Sequence, residues 1–555
     1  MDKNTLLGLL LMGGIILGFM WLNQPSAEEI ERQRQAQAEQ LAAQQQAIEQ
    51  SQQQNVLKVD SLTPTELALL APTIRQYGTP DAVNANVYTL GIHNVNLILE
   101  GDHVTGTVTV GDSIVDVSDI ISGRYSDYAP EIASAAVSVL KSTLNDITRY
   151  KEFSKFLSGK DTSVRLENDL LALDISSKGG MISRAELKQY QSFDSSNVVL
   201  FEGANNDFNL TLTTVNQRLE TREFYFTPVQ ENDTTVLMNL DFGAGVTFGV
   251  RYTLASDSYV VKMDIVQNGM QALIPMSTSS MDFHWYQKMN RHEKGRTFEE
   301  RNSAIYFKYA SDEVDDLSAQ GEDSEDINDK IKWIGFKNQF FSSVIIAREN
   351  FTGAKLHSKD LKETSQSAMY LKEMTADATL DYSSSNQSVA SFDMFFGPNL
   401  YPLLSDYDDT LAQDEDLELT KLIPLGWSLF RWINTLIIIP VFTFLGGFID
   451  NYGIIILILT LLIKLVLFPL TYKSYMSQAR MRVLAPEIKE INDKYPGKEN
   501  AMARQQKTME LYSKAGASPF SGCLPMLLQM PILPMVKRLW TTIWHKPNQP
   551  CLILL

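Results

Sequence analysis

The sequence predicts a large antiparallel β-sandwich domain joined to a small α-helical membrane core. Residues 56–416 contain short runs in which apolar and polar residues alternate between turn residues, as in half-buried strands. Residues 453–470 form a nearly continuous apolar run, about long enough to cross a bilayer as a helix. Hydrophobic residues make up 44% of the 555 residues and charged residues 21%. Because this average is that of a soluble protein, the apolar spans must be few.

The net charge and the cysteine content argue against a nucleic-acid-binding protein and against a disulfide-rich one. The formal net charge is −18, which argues against nucleic acid as a substrate because its binding usually needs a basic surface. The two cysteines, Cys523 and Cys551, both lie near the end of the chain. We therefore expect no disulfide framework in the large domain.

Residues 1–25 predict an N-terminal transmembrane anchor. Residues 6–22 are apolar, and Trp21 stands at the far end, where aromatic residues favour the membrane interface. A cleaved signal peptide is the alternative, but Lys3 is opposed by Asp2 and no small-residue cleavage site follows. Residues 26–55, rich in Gln, Ala and Glu, predict a polar spacer, with a weak coiled coil as the alternative.

The sandwich domain is predicted over residues 56–416, outside the cytoplasm because it follows the anchor. Alternating runs such as VRLENDLLALDIS and GVTFGVRYTL predict its strands. A helical insert is predicted near 126–157, where the pattern changes to a helical period. A strand-rich remainder of this size indicates two packed antiparallel sheets.

The sandwich domain contains no recognisable catalytic constellation, so we expect a protein that is not an enzyme and needs no cofactor. His284 and His292 lack the H-E-x-x-H spacing of a zinc site. The serine-rich residues 277–282 are more typical of a loop than of a nucleophile. The acidic residues 312–330 lack the ligand order of a calcium-binding loop and predict a solvated loop.

Three segments follow the sandwich. Residues 423–449 predict an interfacial amphipathic helix rather than a crossing one, because Pro440 and two glycines interrupt the apolar run and Arg431 lies among aromatic residues. Residues 451–471 predict a core transmembrane helix. Residues 472–516 predict a cytoplasmic helical hairpin that turns at Pro496 and Gly497, since a positive excess marks the cytoplasmic side. Its basic residues are Lys473, Arg480, Arg482, Lys489, Lys494, Lys498, Arg504, Lys507 and Lys514.

Lys464 is the unusual residue of the apolar span. A lysine near the middle of a bilayer costs roughly 2.5–3.5 kcal/mol on insertion scales. Snorkelling toward the inner interface is one explanation. The other is a wet cavity or a polar partner, favoured because helical side chains lean toward the helix N-terminus and Thr460 lies one turn earlier on the same face.

Four stretches of the chain resemble the YidC/Oxa/Alb membrane protein insertase family, in its bacterial YidC-type form. The resemblance reaches from the anchor to about residue 533. The stretches are NYGIIILILTLLIKLVLFPLTYKSY, ARMRVLAPEIKEI, SPFSGCLPMLLQMPI and, in the sandwich, VRLENDLLALDISSKGGMISRAELKQY. Residues 517–533 are similar to the start of the family's second core helix.

The resemblance implies an insertase and chaperone that helps membrane proteins insert, fold and assemble, alone or with a Sec-type translocon. It implies a multi-pass protein of the bacterial inner membrane, with the large domain in the periplasm. Its partners would be nascent membrane proteins, the lipid bilayer and, through the cytoplasmic loop, the ribosome. It also implies a hydrophilic groove that faces the cytoplasm and lipid. The groove residues would be Lys464, Thr460 and Gln529, and the structural motif residues Pro469, Gly522, Cys523, Pro525 and Pro531.

The last residues depart from the family pattern. Residues 534–555 predict a divergent tail, in which Lys537, Arg538 and His545 break the expected apolar run. An incomplete core would leave the groove unfinished. The alternative function is therefore a membrane-anchored periplasmic binding or chaperone domain with an inactive core; an anchored hydrolase is disfavoured by the lack of a catalytic set.

Overall fold

The computed structural model describes residues 61–516 except 82, 85, 216, 312, 363, 412–415, 426–430, 433, 450 and 498. The predicted anchor, spacer, second core helix and tail lie outside the described residues, as do Gln529 and the motif residues from Gly522 onward. The chain divides into two compact units, of which the first ends at Lys155 and the second begins at Phe156.

The first unit is an antiparallel five-stranded sheet with helices on one face. The strands follow in the order β1 to β5, and every second residue of the central strand β3 is buried. The elements are α1 (Pro64–Tyr77), β1 (Thr79–Pro80), β2 (Val87–Ile92), β3 (Val95–Glu100), β4 (His103–Val110), β5 (Ser113–Asp116), α2 (Val117–Ser122) and α3 (Pro130–Tyr150). The predicted 56–416 domain is thus divided, because the helix predicted as an insert belongs to this small unit.

The second unit contains three antiparallel sheets. The four-stranded sheet has the order β6-β7-β8-β9, the six-stranded sheet β11-β10-β16-β23-β22-β19, and the nine-stranded sheet β12-β13-β14-β15-β24-β21-β20-β17-β18. The strands are β6 (Ser163–Glu167), β7 (Leu171–Ser176), β8 (Ile182–Gln191), β9 (Asn197–Glu202), β10 (Asn206–Thr213), β11 (Arg218–Glu220), β12 (Thr227–Asn232), β13 (Thr235–Gly243), β14 (Val246–Leu254), β15 (Val260–Asn268), β16 (Ser280–Asn290), β17 (Ala304–Tyr309), β18 (Val314–Asp316), β19 (Glu322–Ile327), β20 (Ile331–Lys337), β21 (Phe341–Phe351), β22 (Gly353–Asp360), β23 (Tyr370–Asp381) and β24 (Ser388–Pro398).

Aromatic side chains fill the space between the six-stranded and nine-stranded sheets. Trp285 of β16 stacks on Phe336 of β20 with ring centroids 3.7 Å apart, and Phe283 stacks on Phe392 of β24 at 5.7 Å. Large buried rings such as these dominate the energetics of a core. The predicted large antiparallel β domain is therefore confirmed.

Two parts of the acidic segment 312–330, which the sequence predicts as a loop, form edge strands instead: Val314–Asp316 and Glu322–Ile327. β18 closes the nine-stranded sheet, and β19 closes the six-stranded sheet beside β22. The prediction was wrong because β22 supplies a basic neighbour: Asp326 pairs with Lys355 at 3.0 Å and Glu322 with His357 at 3.0 Å. Charged edge strands also discourage pairing with another chain.

One helix, α4 (Arg296–Arg301), lies within the sandwich between β16 and β17. The helices that follow the sandwich are α5 (Tyr401–Leu411), a π-helix (Asn434–Ile438), α6 (Ile439–Gly446), α7 (Tyr452–Val483), α8 (Ala485–Lys494) and α9 (Ala501–Lys514). Within the described ranges, no unbroken helix is long and apolar enough to cross a membrane. Two parts of α7, Gly453–Pro469 and Thr471–Val483, pass that test only together, and they meet at a bend of 50°.

Candidate functional site

Helix α7 begins at a well-formed cap and packs against α6. The Asn451 side chain accepts hydrogen bonds from the backbone N–H groups of Gly453 at 2.9 Å and Ile454 at 3.3 Å, which starts the helix. Ile455 and Leu459, one turn apart, are 0% and 1% exposed. They join a cluster with Ile438, Ile439 and Phe442, against which Tyr401 also packs. One face of α7 is therefore fixed by protein.

The remaining surface of these helices is apolar and uncovered. Large apolar side chains that are 40% or more exposed follow one another along α6 and the first part of α7: Phe444, Phe448, Ile454, Leu457, Leu461, Leu462, Leu465, Val466 and Phe468. A contiguous exposed apolar surface of this kind marks a site of contact with a membrane or another protein.

Thr460 and Lys464 lie together on α7, at the border between the packed face and the uncovered apolar face. They are one helical turn apart; Thr460 is half-buried and Lys464 is exposed. The Lys464 ammonium has no hydrogen-bond or ion-pair partner among the residues that the structure describes. The structure thus brings together two of the three predicted groove residues, and Gln529 lies outside the described part.

Pro469 marks the bend of α7. A proline inside a helix lacks the N–H for the bond to the carbonyl four residues earlier and its ring clashes with that carbonyl, so it kinks the helix. Just beyond it, the Thr471 hydroxyl donates to the carbonyls of Leu467 at 3.1 Å and Phe468 at 2.9 Å. This hydroxyl satisfies acceptors near the bend. Pro469 is recognisable from the sequence as a cause of the bend, whereas Thr471 is not.

The segment predicted as a hairpin, residues 472–516, contains the second part of α7 followed by α8 and α9. Gly497 between α8 and α9 has φ of 86°, a left-handed conformation that glycine adopts without strain. Glu510 pairs with Lys507 at 2.9 Å and with Lys514 at 2.8 Å. Hydrogen bonds from these two ammonium groups lower the pKa of the Glu510 carboxyl to about 2. The cytoplasmic position of the hairpin stays a prediction.

The sandwich histidines serve local structure. His284 Nδ1 lies 2.6 Å from Asp377 Oδ1 on the neighbouring strand, and the buried His292 ring packs edge-on to Phe341 at 5.7 Å. Across the described residues, no group of three or more His, Cys, Asp or Glu side chains is placed to hold a metal ion.

Glu299 is a buried carboxylate that no sequence motif points to. It is 1% exposed. Its oxygens accept from the backbone N–H of His292 at 2.9 Å, the backbone N–H of Glu293 at 3.1 Å and Asn338 Nδ2 at 2.9 Å. Burial dominates over these three donors and raises the pKa of Glu299 to about 7. This carboxylate fixes the turn between β16 and α4.

A strand-rich domain, followed by helices with an uncovered apolar surface and a basic hairpin, defines a membrane-associated protein with a large polar domain. Two family models match the chain: "YidC periplasmic domain" over residues 163–439 and "60Kd inner membrane protein" over residues 444–546. The second match extends beyond residue 533 and ends within the segment predicted as a divergent tail. The small unit ending at Lys155 lies outside both matches.

Curated relatives cover nearly the whole chain. The membrane protein insertase YidC of Parabacteroides distasonis is 38% identical over 535 residues, which are 96% of this chain and 73% of the relative. The protein of the same name from Porphyromonas gingivalis strain ATCC 33277 is 37% identical over 537 residues, with coverage of 96% and 73%. A crystal structure titled as an active YidC insertase with its first transmembrane domain resolved is 18% identical, with a TM-score of 0.26, and the match covers 74% of this chain and 79% of that one.

The chain belongs to the YidC membrane protein insertase family. Membership implies the inner membrane and a periplasmic domain, as the descriptions of the two family models state. The predicted family is therefore confirmed.

Proposed function

We propose that this protein is an insertase and chaperone that transfers nascent membrane proteins into the bacterial inner membrane. The observation that carries the proposal is the placement of Thr460 and Lys464 on α7. They form a polar strip between a face packed on α6 and a face of exposed apolar side chains. A client could leave water along such a strip and enter lipid along the neighbouring apolar face.

The membrane arrangement is part of this proposal. Residues 1–25 anchor the chain, 26–55 space the sandwich from the membrane, 423–449 lie in the interface, and 451–471 cross the bilayer. The first part of α7 then runs from the periplasm to the cytoplasm. The basic hairpin that follows it supports this direction, because positive residues favour the cytoplasmic side. Residues 517–533 would begin the next core helix, and Gln529 and the motif from Gly522 to Pro531 would stand on it.

Lys464 would act through its charge. A cation beside an apolar surface is only weakly screened, so it attracts acidic and polar parts of a client more strongly than it would in water. Burial of the client's apolar segment in lipid supplies the free energy of insertion. No nucleotide or metal enters this scheme. The ribosome, through the hairpin, and a Sec-type translocon are the proposed partners that deliver clients.

Depletion of a bacterial host's own insertase provides the test. The full chain is supplied, and insertion of a small single-span client is followed by protease protection. We expect Lys464→Ala to slow insertion several-fold, whereas Lys464→Arg retains most activity because the charge remains.

A matched control removes a charge from the β domain instead. Lys160 is exposed just before β6, so Lys160→Ala alters the net charge equally and lies outside both the helix of Lys464 and the hairpin. Equal activity of Lys464→Ala and Lys464→Arg at equal expression would show that the charge has no role. Failure of the unmodified chain to insert the client would count against the insertase proposal itself.

A further inference from the structure

The second part of α7, Thr471–Val483, exposes large apolar side chains beside basic ones. Tyr472 is 56% exposed, Tyr475 71%, Met476 41% and Val483 76%, and Lys473, Arg480 and Arg482 are also exposed. Two serines are buried instead, Ser474 at 4% and Ser477 at 7% exposure. A helix facing water would bury the apolar side chains and expose the serines.

The exposed residues form one strip with basic flanks. At about 100° per residue, Tyr472, Met476, Ala479 and Val483 fall on one side of the helix, and the serines fall on the other. Lys473 and Arg480 border one edge of the strip, and Arg482 borders the other edge beside Tyr475. We call Tyr472, Tyr475, Met476, Ala479 and Val483 the apolar strip. Apolar residues between Lys and Arg residues are the pattern of a helix at a membrane interface.

The basic side chains on the flanks remain available for a ligand. Among the described residues, Lys473 and Arg482 have no hydrogen-bond or ion-pair partner, and Arg480 donates only to the carbonyl of Gly516, at 3.1 Å. By contrast, Lys507 and Lys514 on α9 share the carboxylate of Glu510. The cations beside the apolar strip are therefore less neutralised than those two lysines.

We propose that Thr471–Val483 binds anionic phospholipid headgroups, with the apolar strip in the headgroup region and Lys473, Arg480 and Arg482 on the lipid phosphates. The apolar strip directly continues the exposed apolar surface of Gly453–Pro469, so both parts of α7 would meet the same membrane. The negative potential of the cytoplasmic leaflet complements the three cations. This inference rests on the proposed membrane placement of the first part of α7.

Lipid quenching in the full reconstituted chain tests the proposal. A fluorophore is attached at Ala479→Cys after Cys523 and Cys551 are replaced by serine, and vesicles contain brominated phosphatidylglycerol or brominated phosphatidylcholine. We expect both brominated lipids to quench the fluorophore at position 479, with a preference for phosphatidylglycerol that is measured as its stronger quenching. The combined variant Lys473→Gln, Arg480→Gln and Arg482→Gln should lower this preference by up to about fivefold for each residue changed, and added salt should lower it in the parent chain.

Two controls make the outcomes distinguishable. The same fluorophore at Leu465, which is 75% exposed on the first part of α7, reports whether that part is in lipid at all. Lys489→Gln, Lys494→Gln and Lys514→Gln together remove three charges from the hairpin and should leave the preference unchanged.

Three results would overturn the inference. If the fluorophore at position 465 is quenched but the one at position 479 is not, the apolar strip faces water or protein, including a client or a second copy. The proposed membrane placement of the first part of α7 would then still hold. If neither position is quenched, the membrane placement fails as well. If both lipids quench position 479 equally at low salt, the cations do not select anionic headgroups.

Discussion

Replacement of Glu299 by glutamine should remove a pH dependence from the stability of the sandwich. Glu299 is buried at the turn between β16 and α4, and its pKa is raised from an ordinary 4.5 to about 7. Between these values the folded chain holds a proton that the unfolded chain has released. Stability must therefore fall as the pH rises through this interval.

The size of the effect follows from the two pKa values. They differ by about 2.5, and a difference of one corresponds to about 1.4 kcal/mol, so the carboxyl costs the folded state about 3 kcal/mol once it is ionised. The cost is absent below pH 4.5 and complete above pH 7. Glutamine carries no titrating proton and still offers an acceptor to Asn338 and the backbone, so its contribution is independent of pH.

Urea unfolding of the full chain and of Glu299→Gln measures this difference. Trp285 and Trp333 are both 0% exposed and report unfolding of the sandwich by fluorescence. We expect the free energy of unfolding of the parent, relative to the variant, to fall by about 3 kcal/mol from below pH 4.5 to above pH 7. Parallel curves for the two proteins over that range would refute the reasoning, because they would show that Glu299 titrates alike in both states.

Three further predictions concern packing and the bend. Trp285→Ala should destabilise the sandwich by about 3–5 kcal/mol in urea unfolding; Trp285→Phe should cost less, because it keeps a ring on Phe336 and removes an indole N–H that has no partner among the described residues. Gly180→Ala should cost about 1–3 kcal/mol in the same assay, since φ is 67° and a Cβ would lie 2.8 Å from the Phe226 ring; an unchanged midpoint would contradict this. Pro469→Ala should reduce the 50° bend and lengthen the distance between spin labels on the two parts of α7, and an unchanged distance would place the cause elsewhere.

Local sequence patterns predicted the sandwich because the alternation of apolar and polar residues that indicates a strand lies within the strand itself. VRLENDLLALDIS covers most of β6 and all of β7, and GVTFGVRYTL contains β14. The acidic strand β19 was missed because its stability depends on a neighbour distant in sequence: Lys355 and Lys359 of β22 compensate its carboxylates. Composition alone shows the charge of Glu322 and Asp326, not the partners that let them form a strand.

The site shows the same limit. The position of Thr460 beside Lys464 follows from helical spacing, and Pro469 is a recognisable cause of a bend. Glu299 could not be selected, because its burial depends on the turn after β16 and on Asn338 of another hairpin. Its sequence context, RTFEER, is that of an ordinary charged helix.

In the proposed membrane arrangement, helix α7 would meet three environments. Ile455 and Leu459 are covered by α6, and Leu457, Leu461 and Leu465 are exposed as apolar side chains. If lipid and protein were its only surroundings, Lys464 would carry a cost of roughly 2.5–3.5 kcal/mol with nothing to offset it. In the proposed function, an aqueous or polar third environment beside Thr460 and Lys464 would remove that cost and let the charge meet a client. The bend after Lys464 would then matter, because beyond it the apolar surface continues between Lys473, Arg480 and Arg482, which would lie where the polar headgroups begin.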